Sequence, residues 1–138
     1  MSDVKILLKK RGLKVTPART TILEVFDGKN YALSFNDLNK ELGGALDKVT
    51  VYRTLKSFEE GGIIHEVMDG SPQVKYALCH HEDCSKEDHD DAHVHFKCER
   101  CNRTYCLEST QIPTIELPQG YFVSKQFVSL QGMCKNCH

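Results

Sequence analysis

Nowhere in the 138 residues does an apolar run approach the ~20 residues that a bilayer-spanning helix requires, so no membrane association is expected. The opening MSDVKILLKK lacks the apolar segment and small-residue cleavage site of a secretory signal, and a cytoplasmic protein is expected. Stable disulfides are uncommon there. The seven cysteines are odd in number, which excludes full pairing within one chain, so they read first as metal ligands or redox thiols. A large net charge is missing too: the formal value is −1. The composition, 40% hydrophobic and 27% charged, is not that of a disordered chain, and the length suits one ordinary domain or two small ones. There is no internal repeat, and the only low-complexity stretch, about 80–92, reads as a linker.

The small net charge hides an asymmetry. Residues 1–57 hold eleven Lys and Arg against six Asp and Glu, whereas residues 79–138 hold six against nine. A basic first half beside an acidic, Cys/His-rich second half suggests a polyanion-binding module joined to a metal module.

The first half punctuates itself into helices. Residues 3–11 form a short helical stretch stopped by Gly12; Thr16 and Pro17 open a second, with Ile22, Leu23 and Phe26 as its apolar stripe. Ser34, with Asp37 three residues on, opens a third that Gly43-Gly44 end. A fourth runs from about Asp47 to Glu60, with Val51, Leu55 and Phe58 at helical spacing. Then IIHEVMDGSPQVKYAL gives two strand-like runs around a turn. Helices followed by a β-hairpin make a winged helix-turn-helix. In the second half, HVHFKCERCNRTYCLE and YFVSKQFVSLQGMC look like strands of a smaller domain. The expected class is α+β, with residues 1–79 as the winged domain, 80–92 as a hinge or loop, and 93–138 as a metal-binding domain.

With Val51, Leu55 and Phe58 inward, the fourth helix shows Thr50, Arg53, Lys56 and Ser57 outward, with Tyr52 at the boundary. That face can offer a guanidinium to guanine, a methyl and hydroxyl to base edges, and a cation to phosphate. Lys14 and Arg19, around the start of the second helix, suit the backbone or minor groove. An ordinary amphipathic helix with a solvated face fits equally well.

Cys98-x2-Cys101 and Cys134-x2-Cys137 can each place two thiolates on one metal, and two such turns complete a tetrahedral site. Four thiolates favour zinc or an iron–sulfur centre over magnesium or calcium, and the lack of cluster-type spacing favours zinc. A pair of redox dithiols is the alternative, although no thioredoxin-like context surrounds them.

Taken together, GLKVTPARTTILEVF, TVYRTL, the His-rich segment before the first CxxC and the late CKNC resemble the ferric uptake regulator family over essentially the whole chain. The resemblance implies a dimeric repressor with an N-terminal winged-helix domain that binds a double-stranded DNA operator. It also implies a C-terminal α/β dimerisation domain and no small-molecule substrate. A structural Zn²⁺ would be held by Cys98, Cys101, Cys134 and Cys137, and a second, regulatory divalent metal would lie near the hinge. Where iron and peroxide sensors of the family carry a histidine and two carboxylates, this chain has Ala32, Ala77 and Cys106. The zinc uptake regulators resemble it more closely, with a cysteine closing the wing, matching Cys79, and a ligand on its first strand, matching His65. With His93 and His95 these make a set of three imidazoles and one thiolate suited to Zn²⁺, for which Cys106 is a fifth candidate. His80, His81, Cys84 and His89 read as a solvated loop ahead of a third metal site or a ligand relay. Sensing of ferrous iron, manganese or peroxide is the alternative within the family. A zinc hydrolase or deaminase lacks its H-x-E…PCxxC arrangement here, and a thiol oxidoreductase would have to rest on the CxxC pairs alone.

Overall fold

A computed structural model describes residues 3–78, 94–107, 110, 112–124 and 126–137. Local chemistry sets the helix boundaries. In α1 (Asp3–Lys10), Val4 and Leu8 stand one turn apart and both are buried. Gly12 then takes a positive φ of 74°, and the chain turns back so that the Leu13 amide bonds the Leu8 carbonyl. Thr16 caps α2 (Pro17–Asp27) by accepting the Arg19 amide at 3.2 Å. Ser34 and Asp37 form a reciprocal capping box at the start of α3 (Phe35–Leu42). Asp47 caps α4 (Lys48–Glu60) through the Thr50 amide at 2.7 Å.

Each amphipathic helix turns its apolar stripe to one centre, where Leu8, Ile22, Leu23, Leu38, Val51 and Phe58 are fully enclosed. A small antiparallel sheet completes this unit, with strands β1 (Leu33–Ser34), β2 (Ile64–Val67) and β3 (Lys75–Leu78) in the order β1-β3-β2. The two-residue β1 was not expected from the sequence, since two residues carry no periodicity. A second sheet joins β4 (Val94–Cys98), β5 (Thr104–Leu107) and β6 (Val128–Gly132) in the order β5-β4-β6, with β4–β5 antiparallel and β4–β6 parallel. The class is α+β, and among the described residues every helix precedes residue 61.

One expectation needs correction. YFVSKQFVSLQGMC was read as strand, yet the strand is confined to Val128–Gly132, and Tyr121 and Phe122 are 68% and 93% exposed. Apolar and β-branched content fits a pleated, half-buried surface, but a strand also needs a ladder partner, and here only 128–132 meets β4.

The two sheets are tied together by polar contacts. The Ala32 amide donates to the Thr104 carbonyl at 2.7 Å, and the Arg103 guanidinium lies 4.3 Å from the Tyr31 ring centre. Deeper in, the Lys75 ammonium contacts Asp69 at 2.8 Å and donates to Thr104 Oγ1 and the Asn102 carbonyl, both at 3.2 Å. The Thr104 hydroxyl donates to Asp69 Oδ2 at 2.7 Å. All three side-chain partners are buried. Burial alone would raise the Asp69 carboxyl, but hydrogen bonds from Lys75, Ser71 and Thr104 outweigh it and hold the group far below the usual carboxylate range.

A folded-state pKa depressed below the unfolded value of about 3.9 gives stability that is complete above that pH and is lost as pH falls through it. Asp69→Asn should therefore be less stable than the parent at neutral pH, and the deficit should shrink between about pH 5 and pH 2, with a slope of up to about 1.4 kcal/mol per pH unit. Urea unfolding across that range checks it, because cysteine protonation is common to both proteins. A deficit constant with pH would contradict the assignment.

Candidate metal centres and DNA-reading helix

Cys98 closes β4 and Cys101 sits in the turn behind it, where Asn102 adopts a positive φ of 61°. The parallel register sets Cys98 opposite Gly132, which carries Cys134 and the following turn alongside. All four sulfurs of Cys98, Cys101, Cys134 and Cys137 consequently lie within 4.8 Å of one another, as thiols rather than disulfides. Cys98 Sγ accepts backbone N–H groups from both turns, Cys101 at 3.4 Å and Cys134 at 3.5 Å. These donors pull the Cys98 thiol down to about 6. Burial would raise Cys134, but the Asn136 amide and the Cys137 thiol more than compensate and lower it. The Cys137 thiol, which shares its hydrogen bonding with Cys134 and is desolvated, is pushed up to about 12. A cation among the four sulfurs would favour their thiolate forms. The cluster fits a four-coordinate, sulfur-preferring metal.

A second group forms where the sheets meet. His95 on β4 and Cys106 on β5 are register partners, and His65 reaches them from β2. One ligand atom from each lies within 4.8 Å of the other two, with Cys106 Sγ 3.7 Å from His65 Nε2. The imidazoles stack at 6.1 Å between centroids, and both histidines are buried. Ala32, Val67 and Ala77 pack as an apolar wall against Cys106. The three donors are two imidazoles and a thiol, a set that suits zinc better than iron.

Of the sequence-expected regulatory ligands, the structure brings His65 and His95 together and adds Cys106, which sequence reasoning ranked fifth. Pairing of His95 with Cys106 across a hairpin was the signal, because directly opposed side chains sit ~5 Å apart. Cys79 and His93, and the loop candidates His80, His81, Cys84 and His89, lie outside the described residues.

On α4, Arg53, Lys56 and Tyr52 are exposed and Thr50 is half-buried, its carbonyl accepting the Thr54 hydroxyl. The Lys56 ammonium stands 5.5 Å from the Tyr52 ring centre. Lys48 and Val49, overlooked in the sequence, share this face; Val49 is 55% exposed and offers apolar contact of the kind a thymine methyl takes. Their signal is helical spacing, since 49, 52, 53 and 56 fall on one side. Near the start of α2, Arg19 folds back to donate to the Lys14 carbonyl at 3.0 Å, while the Lys14 side chain is exposed.

A model of the Ferric uptake regulator family matches residues 10–122. The ferric uptake regulation protein of Escherichia coli (strain K12) is 39% identical over 89 residues, a match spanning 60% of this chain and 60% of that relative's length. The protein of the same description from Shigella flexneri is 32% identical over 136 residues, covering 94% of this chain and 82% of the relative. The peroxide operon regulator of Bacillus subtilis (strain 168) is 26% identical over 137 residues, covering 94% and 88%. Among solved structures, a zinc uptake regulator complexed with zinc and DNA superposes with a TM-score of 0.65 at 23% identity, covering 96% of this chain and 89% of the other. The Vibrio cholerae ferric uptake regulator does so at 0.62 and 24%, covering 96% and 100%. At such identities the two structures speak to the fold.

The sulfur cluster generates a direct expectation. Cys134→Ser should lose one tightly held metal per chain and release β6 from β4. Metal analysis and hydrogen exchange at the Glu99 amide, which bonds the Gly132 carbonyl at 2.7 Å, read the two effects. Retention of the metal together with unchanged Glu99 protection would remove the cluster's structural role.

Proposed function

Because the chain belongs to the ferric uptake regulator family, a family of metal-responsive transcription regulators and not of enzymes, we propose that it is a zinc-responsive repressor of metal-uptake genes. The observation that carries this reading is the convergence of His65, from the wing, with His95 and Cys106, from the second sheet. A cation held by these three would cross-link the two sheets and so fix the attitude of α4.

In this reading residues 1–79 bind DNA, 80–92 join, and 93–138 carry the metals and the dimer contact. Cys98, Cys101, Cys134 and Cys137 hold a structural Zn²⁺. His65, His95 and Cys106 are the core of the regulatory site, with Cys79 and His93 as further ligands. Tyr52, Arg53 and Thr50 read base edges, with Lys56, Lys14 and Arg19 on phosphates. Tyr121, Phe122, Val123 and Phe127, exposed on the second half, suit burial against a second copy. A two-fold dimer reads half-sites about one helical turn apart, so a ligand-set posture decides whether both α4 helices engage together. Iron sensing fits the site less well, since Ala32 and Ala77 line it with methyl groups where oxygen donors would suit Fe²⁺.

Two measurements bear on this. DNA binding by protein that keeps its structural metal should rise with buffered free Zn²⁺ and not with comparable Fe²⁺ or Mn²⁺, and Cys106→Ser should shift the zinc midpoint at least tenfold upward. Activation by Fe²⁺, with Cys106→Ser responding as the parent does, would replace zinc with iron as the signal. Separately, Arg53→Ala should cost about 1–3 kcal/mol of operator affinity at fixed salt with the fold unchanged. Unaltered affinity and sequence preference in a gel shift would displace α4 as the reading helix.

A further inference from the structure

The contact between Asp69, Lys75 and Thr104 does more than hold two sheets together. It lies beside the imidazole–thiol group in both sheets. On the wing, His65 pairs with Ala77, and Lys75 is two residues from Ala77 on the same face of β3. In the second sheet, Cys106 pairs with His95, and Thr104 is two residues from Cys106 on the same face of β5. Each step of two residues along a strand is about 7 Å, so the polar contact is the neighbouring rung to the ligand group.

We infer that Asp69, Lys75 and Thr104 are positioning residues: their buried contact latches the wing onto the second sheet and holds His65 within reach of His95 and Cys106 before any metal binds. The inference rests on the reading of those last three residues as metal ligands.

The latch cannot be satisfied by either half alone. Of the three acceptors around the Lys75 ammonium, Asp69 belongs to the wing, whereas Thr104 Oγ1 and the Asn102 carbonyl belong to the second sheet. The Thr104 hydroxyl accepts from Lys75 while donating to Asp69, so it bonds both members of the ion pair from the second sheet. Thr104 is fully buried and Asp69 nearly so, and parting the sheets would leave a charge pair short of a donor and two acceptors. The Ala32 amide, on the Thr104 carbonyl at 2.7 Å, ties the backbone at the same residue. Apparent metal affinity equals the intrinsic affinity multiplied by the fraction of molecules already closed. A latch that keeps that fraction high tightens the apparent binding of metal, because little of the metal's binding energy is spent on closure.

The test compares the parent with Thr104→Val and Thr104→Ser as full-length protein carrying the metal of its four-cysteine cluster, and Co²⁺ is the probe. Thr104→Val keeps the shape and removes the hydroxyl; Thr104→Ser restores it. Competition against a chromophoric chelator should show Co²⁺ binding at the second site weakened about tenfold or more in Thr104→Val and near parental in Thr104→Ser. The ligand-field spectrum at saturation should be the same in all three, since no ligand has changed. In protein without second-site metal, the Ala32 amide should exchange faster in Thr104→Val. Equal Co²⁺ affinities in parent and Thr104→Val would overturn the latch, as would a changed spectrum or a Thr104→Ser as weak as Thr104→Val. If the parent takes up no second Co²⁺ at all, the ligand reading fails and the positioning role falls with it, an outcome distinct from equal affinities.

Discussion

Four sulfurs within 4.8 Å of one another set the terms for the second half of the chain. The large apolar core is drawn from Val4 to Ile64, with Tyr76 and Leu78 packed against it, and among the described residues none of its members comes from beyond residue 78. The second sheet has instead a few buried side chains, among them Val94, His95, Thr104 and the sulfurs of Cys98 and Cys134. Three short strands with so little apolar surface do not offset the entropy of ordering them. Four sulfurs this close would repel one another as thiolates, and a cation among them would offset that repulsion. Where helices α1 to α4 are held by burial, this sheet has its seat against the wing and a four-sulfur cluster that fits a metal.

That division explains why the halves use different chemistry at their common boundary. Among the described residues, apolar packing there comes from the small cluster of Ala32, Val67, Ala77 and Cys106 and from the edge-on contact of the Tyr31 and Tyr105 rings. The rest is polar and directional: an imidazole–thiol group, a buried ion pair with its hydroxyl, and a backbone hydrogen bond from Ala32. Small methyl groups permit the close approach that larger side chains would block. Directional contacts have discrete made and broken arrangements.

The helices were legible in the sequence because their boundaries are written in single residues: Thr16, Ser34 with Asp37, and Asp47 each cap as their side chains dictate. The cysteine pairs were legible because ligand spacing is a local property, even though β6 must return from far along the chain to unite them. Cys106 was only half legible, since its place opposite His95 depends on hairpin register. The contact of Asp69 with Lys75 and Thr104 was hidden altogether. Asp69 reads as a turn residue and Lys75 as a strand surface, and Thr104 is 35 positions from Asp69. The extent of β6 was misread because the apolar residues before it have the composition of a strand without a ladder to join.

The parallel pairing of β4 with β6 has a bearing on the order in which the molecule is made. Parallel neighbours cannot be joined by a tight turn, and here the connection runs from Cys98 to Val128. Closing so long a loop carries an entropic penalty that local contacts do not share. On a ribosome, the winged unit has all its parts once residue 78 has emerged, whereas β4 waits for a partner near the far end of the chain and for Cys134 and Cys137 beyond it. Nascent chains would then pass through a stage in which α4 is folded and solvent-exposed while the second sheet does not yet exist.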